Sequence, residues 1–256
     1  MGDTDLIPAV TRLVTEENSI GFPPSLDSSP PNTSFNAALT AIIHSTKTGN
    51  PKTYAQAMGR PDCQEWHNAC LQELSAFKDH KTYKLVSLPK QRRALGSRWV
   101  FTIKDSGKYK ARLVAQGHTQ KAGIDYQETF APVIRYDSVR LFLALASCLK
   151  LIVYQMDVDT AFLNSTMDEP VYVKQPPGFV NERNPDYVWE LYGGMYGLKQ
   201  APLLWNEHIN STLQKISFRR HEGEHGLYFR STFDGPILIA LLCRRLTCCC
   251  SLSKNI

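Results

Sequence analysis

Apolar residues recur at helical spacing at Trp66, Cys70, Leu74 and Phe77. The preceding Asp62-Cys63-Gln64-Glu65 has the form of a capping box, with Asp62 as N-cap and Glu65 reaching back. Arg98 to Lys104 alternates as a strand. The Asp105-Ser106-Gly107 turn and a second strand from Tyr109 to Gln116 complete a hairpin. An apolar helix is expected from Asp137 or Ser138 to about Leu149, then a strand from Ile152 to Val158. Tyr172 to Lys174 and Tyr187 to Tyr192 read as strands. Pro202 suits the first turn of a helix with Trp205, Ile209, Leu213 and Ile216 on its inner face. Leu227 to Arg230 and Ile237 to Leu241 flank Asp234-Gly235, another hairpin signal. Strands and helices mix without a regular βαβ rhythm and without internal repeats, so the expected class is α+β.

Residues 1–50 carry no such periodicity. Gly21 to Asn36 holds four prolines and four serines, the composition of a disordered linker. A linker over 1–50 is therefore expected ahead of a folded region.

Composition narrows the class only slightly. Of 256 residues, 43% are hydrophobic and 21% charged, ordinary values for a folded protein. A net charge of +5 permits a polyanionic partner without requiring one. The longest apolar stretch, Leu141 to Val153, carries Lys150 and is too short to span a bilayer, so no membrane association is expected. The acidic start Met1-Gly2-Asp3-Thr4-Asp5 lacks the apolar core of a signal peptide, and Leu6 stands where a myristoylation motif wants Ser or Thr. An intracellular location, cytoplasmic or nuclear, is the expectation. Four of the seven cysteines, Cys243, Cys248, Cys249 and Cys250, fall in the last fourteen residues. They form no paired C-x-x-C arms and have no nearby histidine, which argues against zinc.

Asp157 closes an apolar strand in Gln155-Met156-Asp157-Val158-Asp159-Thr160-Ala161-Phe162-Leu163-Asn164. A carboxylate there is costly unless it is paired, binds a cation or caps the next turn. QMDVDTAFLN, followed by EPVYVKQPPGF and YGLKQAP, resembles the reverse transcriptase of copia-type LTR retrotransposons. Upstream, LGSRWVFTIK, YKARLVAQGHTQKAGIDYQETFAPV and DSVRLFLALA agree, so the resemblance runs from about Pro51 to Leu241.

The resemblance implies a right-hand polymerase of fingers and palm, truncated before the thumb. It implies RNA-directed DNA synthesis on an RNA or DNA primer-template from dNTPs, through two Mg²⁺ ions held by clustered carboxylates. Asp157 matches the first carboxylate, with the Val158 backbone beside it at the metal. Phe162 matches the bulky gate that screens the sugar 2′ position. Lys110 and Arg112 share a strand face by the period-two rule. By resemblance Arg112 and Lys104 hold the incoming triphosphate, and Arg pairs bidentately with phosphate; a solvated basic face is the plain alternative. Gly197, Gln200, Ala201 and Pro202 match the loop that supports the template and nascent pair. Leu203 stands where the family often has Arg or Lys, and Gly193-Gly194 replaces a bulkier, partly basic stretch.

The family also needs a Tyr-Val-Asp-Asp box after the strand that ends at Leu241. The chain instead reads Leu242-Cys243-Arg244-Arg245-Leu246-Thr247-Cys248-Cys249-Cys250. One permitted coding of that stretch, TTA TGT CGA CGA CTT ACT TGT TGT TGC, becomes Tyr-Val-Asp-Asp-Leu-Leu-Val-Val when advanced by one base. The expectation is a one-base frameshift at Leu242, an out-of-frame tail over 242–256, and an inactive polymerase fragment with impaired Mg²⁺ binding. Alternatives are a non-enzymatic nucleic-acid-binding remnant, and an active polymerase if the shift is a sequence error.

Overall fold

The computed structural model describes residues 49–233, 235–242 and 245–250, the last six by their backbone alone. The linker expected over 1–50 lies outside the described residues except for Gly49 and Asn50, as does Asp234 of the second hairpin turn.

The chain opens with a short helix α1 (Tyr54–Met58), whose Gln56 amide is capped by the Thr53 hydroxyl at 3.2 Å. Helix α2 (Cys63–Asp79) follows, with Trp66, Cys70, Leu74 and Phe77 buried as the periodicity predicts. Its capping box does not form. Asp62 stands at the N-cap position, but its carboxylate makes no cap bond. It accepts instead from Arg60 Nε at 2.9 Å and the Tyr109 hydroxyl at 3.2 Å. A charge-assisted bond to a guanidinium outcompetes a neutral backbone amide.

Strand β1 (Tyr83–Val86) precedes the hairpin β2 (Ser97–Ile103) and β3 (Tyr109–Ala115), paired antiparallel with Val100 opposite Arg112. Gly107 takes φ of +76° in its turn, a conformation that favours glycine. Then come α3 (Tyr136–Cys148), β4 (Ile152–Asp157), β5 (Thr166–Lys174), β6 (Val188–Gly193) and α4 (Ala201–Lys215). Strands β7 (Arg219–Arg220), β8 (Leu227–Thr232), β9 (Gly235–Leu242) and β10 (Arg245–Cys250) complete the described chain.

The strands form three antiparallel sheets: β1-β6-β5, β2-β3, and β4-β10-β9-β8-β7. This mixture of helices and antiparallel strands is the expected α+β class. Strand β5 is longer than its apolar pattern suggested. Its ladder with β6 shifts register between Thr166 and Val171, across Asp168-Glu169-Pro170, which breaks the alternation.

One core joins α2 to the hairpin and the three-stranded sheet, around Trp66, Phe77, Leu113, Val173, Trp189 and Leu191. In the five-stranded sheet, β9 is covered on both faces. Ile237, Ile239 and Leu241 pack with Trp205, Ile209 and Leu213 of α4. The alternate residues Leu238, Ala240 and Leu242 pack with Phe142 and Ala146 of α3. Burial on both sides explains why β9 reads as a continuous apolar run. Among the described residues, no helix is long and apolar enough to cross a membrane.

Candidate functional site

The hairpin carries the first part of the site. Along β3, Ala111, Leu113 and Ala115 are buried, so Lys110 and Arg112 share the opposite, half-exposed face. Burial holds the Lys110 amine below the ordinary lysine value; the Arg112 and Lys104 charges add to the effect, and Glu73 and Asp159 oppose it. Arg112 and Lys104 of the hairpin and the Asp159 carboxylate, two residues beyond Asp157, therefore each lie within electrostatic reach of Lys110. Lys104 is exposed at the hairpin turn, where its amide donates to the Lys108 carbonyl.

The edge of β3 that faces away from β2 is closed from outside. The Ala115 amide donates to the Tyr196 carbonyl at 2.8 Å. The Leu113 amide, two residues earlier on the same edge, donates to Glu73 Oε1 of α2 at 3.3 Å. The Arg112 guanidinium lies 5.9 Å from the centre of the Tyr196 ring. That ring meets Phe162 edge to face at 5.0 Å. Arg112, Tyr196 and Phe162 thus form a continuous series from the hairpin to the turn that follows Asp157.

Gly197 makes this approach possible. Its φ is +89°, and a side chain there would place Cβ 2.2 Å from the Ala115 carbonyl oxygen. Gly117 is equally confined, with the Gly197 carbonyl oxygen 1.9 Å from where its Cβ would stand. Two backbones touch here without side chains between them. Gly194 likewise clears the Phe162 carbonyl oxygen, 2.6 Å from its absent Cβ. That close approach gives a packing reason for the Gly193-Gly194 departure seen in the sequence.

Gln200 points inward. It is 8% exposed, accepts from Gln120 Nε2 at 2.9 Å and donates to the Asp125 carbonyl at 3.1 Å. Gln120 Oε1 in turn accepts the Lys199 amide at 2.8 Å. This amide pair ties the loop after β3 to the start of α4.

Asp157 ends β4 with an exposed side chain, while Val158 packs partly into the α4 core. The turn beyond it holds Thr160 at φ of +49°, with its hydroxyl 3.1 Å from His80 Nε2. A threonine in the left-handed region is held there by its surroundings, a feature that gathers at functional turns. Strand β10 runs between β4 and β9, and Arg245 stands opposite Asp157 on one side and Leu242 on the other. Arg244 lies outside the described residues. Among the described residues, no three His, Cys, Asp or Glu side chains gather where a metal ion could be held.

Sequence reasoning missed Tyr196, Glu73 and Gln120. Tyr196 directly precedes Gly197 in YGLKQAP, so its place in the motif was a usable signal. Glu73 and Gln120 gain their importance only from contacts across 40 and 80 residues of sequence.

A family model described as reverse transcriptase (RNA-dependent DNA polymerase) matches residues 80–256. A putative transposon Ty5-1 protein of Saccharomyces cerevisiae is 91% identical over 86 residues, covering 34% of this chain and 28% of that protein. The retrovirus-related Pol polyprotein from transposon TNT 1-94 of Nicotiana tabacum is 36% identical over 197 residues, 75% of this chain and 15% of that polyprotein. The corresponding polyprotein from transposon RE1 of Arabidopsis thaliana is 37% identical over 204 residues, 77% of this chain and 13% of its own length. The chain thus spans less than a third of each of these relatives.

Proposed function

Because the chain belongs to the reverse transcriptase (RNA-dependent DNA polymerase) family, we propose that it is the fingers and palm of a copia-type polymerase whose metal site has been lost to a one-base frameshift at Leu242. The ladder register carries this reading. Arg245 occupies the strand position opposite Asp157, where the shifted frame would supply the second aspartate of a Tyr-Val-Asp-Asp box.

The donor set does not fit two Mg²⁺ ions. Asp157 and the Val158 carbonyl supply one corner, and Asp159 adds a second carboxylate nearby. Arginine at 244 and 245 changes the formal charge at those positions from −2 to +2. Guanidinium groups repel divalent cations and pair with carboxylates instead. No metal-dependent step is assigned to this chain.

The rest of the site supports retained recognition. Arg112 and Lys110, with Lys104 at the hairpin turn, suit the phosphates of an incoming nucleotide. Phe162 and Tyr196 suit its sugar and base, with Phe162 screening the 2′ position. Gly197 and the buried Gln200 build the loop on which template and primer would rest; the Gln200 side chain acts through Gln120. Sequence-independent phosphate binding survives the loss of a metal site, so a nucleic-acid-binding remnant is the second reading.

Primer extension with Mg²⁺ and dNTPs tests the proposal, comparing the chain, its Asp157→Asn variant and a frame-corrected version. No extension is expected from the chain as it stands. Extension that disappears in Asp157→Asn would overturn the inactivity claim. Genomic sequence across codon 242 separates a true frameshift from a sequence error.

A further inference from the structure

Glu73 belongs to α2, outside every motif of the site, yet its carboxylate reaches the strand that carries the basic pair. Its Oε1 accepts from the Leu113 amide at 3.3 Å. That amide lies on the edge of β3 that β2 leaves unpaired, two residues from the Ala115 amide held by Tyr196. Arg112 is thus followed, along one edge of β3, by two anchors, the Glu73 carboxylate at Leu113 and the Tyr196 carbonyl at Ala115. The Glu73 charge also acts on both Lys110 and Arg112.

We propose that Glu73 is a positioning residue of the phosphate site: it fixes the edge of β3 at Leu113 and holds the Lys110–Arg112 pair together as a counter-charge that an arriving triphosphate supersedes. This rests on the reading that Lys110 and Arg112 bind phosphate. Two cations on neighbouring same-face positions of a strand repel one another, and a carboxylate behind them offsets that repulsion while no ligand is present. A triphosphate brings a larger negative charge to the same cations and disfavours the Glu73 carboxylate.

A proton linkage follows. Burial already pushes the Glu73 carboxyl above its ordinary value, against the Leu113 amide and the Lys110 and Arg112 charges. The charged and titratable groups facing it are Lys110 and Arg112 on β3 and, from its own helix, Cys70. The Cys70 thiol is pushed up to about 12 by burial first and by Glu73 second, so it stays neutral and does not compete for the proton. An anion beside Glu73 raises its carboxyl further, so triphosphate binding takes a proton onto Glu73 in mildly acidic solution.

Calorimetric titration of the chain with dTTP, in buffers of different ionisation enthalpy, reads both affinity and proton uptake. Wild type is expected to take up a proton fraction that grows toward mildly acidic pH. Glu73→Gln keeps the acceptor for Leu113 and removes the charge; it is expected to lose that uptake and to bind about threefold tighter at neutral pH, the size of one removed like charge in a high-dielectric setting. The nucleotide's own titration is common to both proteins and cancels. Amide exchange at Leu113 is expected to remain slow in Glu73→Gln and to quicken in Glu73→Ala. Arg112→Ser is expected to weaken dTTP at least about tenfold, as removal of a charged phosphate ligand does. If Arg112→Ser loses binding while Glu73→Gln matches wild type in affinity and proton uptake, the role of Glu73 is overturned and the phosphate site stands. If wild type does not bind, or Arg112→Ser binds equally well, the phosphate-site reading fails and the proposal fails with it.

Discussion

Arg245 stands directly opposite Asp157 in the antiparallel ladder of β4 and β10. Strands that pair in a sheet lie about 5 Å apart, so the two positions share one small region at the end of the sheet. An aspartate at 245 would bring a second carboxylate to Asp157, whereas arginine brings an opposite charge.

Placing carboxylates at 244 and 245 should therefore raise metal affinity even without polymerisation. The double variant Arg244→Asp/Arg245→Asp is expected to bind Mn²⁺ at least about tenfold more tightly than the parent chain, measured by paramagnetic titration. Adding Asp157→Asn should remove the gain. Equal affinity in parent and double variant would show that the three positions do not converge on one ion.

Gly197 is expected to tolerate no side chain. Gly197→Ala combines a left-handed φ of +89° with a Cβ 2.2 Å from the Ala115 carbonyl oxygen. The loss should be roughly 2–4 kcal/mol in urea denaturation, since conformational strain and a backbone clash add. Gly123, at φ of +76° but with open space around its Cβ position, provides the control. Gly123→Ala should cost only the conformational part, about 1 kcal/mol.

The Arg60–Asp62–Tyr109 group should make stability fall in acid. Burial works to raise the Asp62 carboxyl, but the hydrogen bond and charge of Arg60 and the Tyr109 hydroxyl outweigh it and hold it below the ordinary aspartate range. A depressed carboxyl contributes stability above its unfolded value, and loses it as pH falls through the folded one. Asp62→Asn is expected to cost about 1–2 kcal/mol at neutral pH, a cost that shrinks away once Asp62 of the parent is protonated in both the folded and the unfolded chain, in denaturation followed across acid pH. A difference independent of pH would mean that packing, not charge, gives Asp62 its effect.

Binding to RNA or DNA should be weak, insensitive to sequence and strongly salt-dependent. Removing one cation that touches a phosphate lowers the slope of log affinity against log salt by about 1. On the second reading, in which the basic face of β3 meets the nucleic-acid backbone itself, fluorescence anisotropy of labelled primer-template at several salt concentrations is expected to show that reduction for Arg112→Ser. Undetectable binding at low salt would leave a decayed element with no retained recognition.

Most of the fold is legible in the sequence because its elements obey local rules. The α2 spacing, the Asp105-Ser106-Gly107 turn and Pro202 at the start of α4 each carry their own signal. Strand β1 escapes notice because Tyr83-Lys84-Leu85-Val86 is too short to display a period. Strand β10 is hidden for a different reason: its residues read as shifted code rather than as a strand, although Cys and Leu suit a sheet well enough. The capping box misleads because the competing partners of Asp62 lie partly on β3, 47 residues away. Within the candidate site, motif and strand face single out Lys110, Arg112, Phe162 and Gly197, and the contacts of Tyr196 bring Arg112 and Phe162 to one place. The inward turn of Gln200 depends on Gln120, a partner that sequence proximity does not reveal.

The packing of β9 separates architecture from chemistry. Its residues from Ile237 to Leu242, clamped between α3 and α4, all precede position 243. On the proposed reading, a shift at Leu242 leaves Ile237 to Leu241 in frame and falls on β10, the strand that joins β4 to the sheet, so the packed faces of β9 would survive while the strand beside Asp157 changes. On that reading the folded body would outlast the polymerase chemistry.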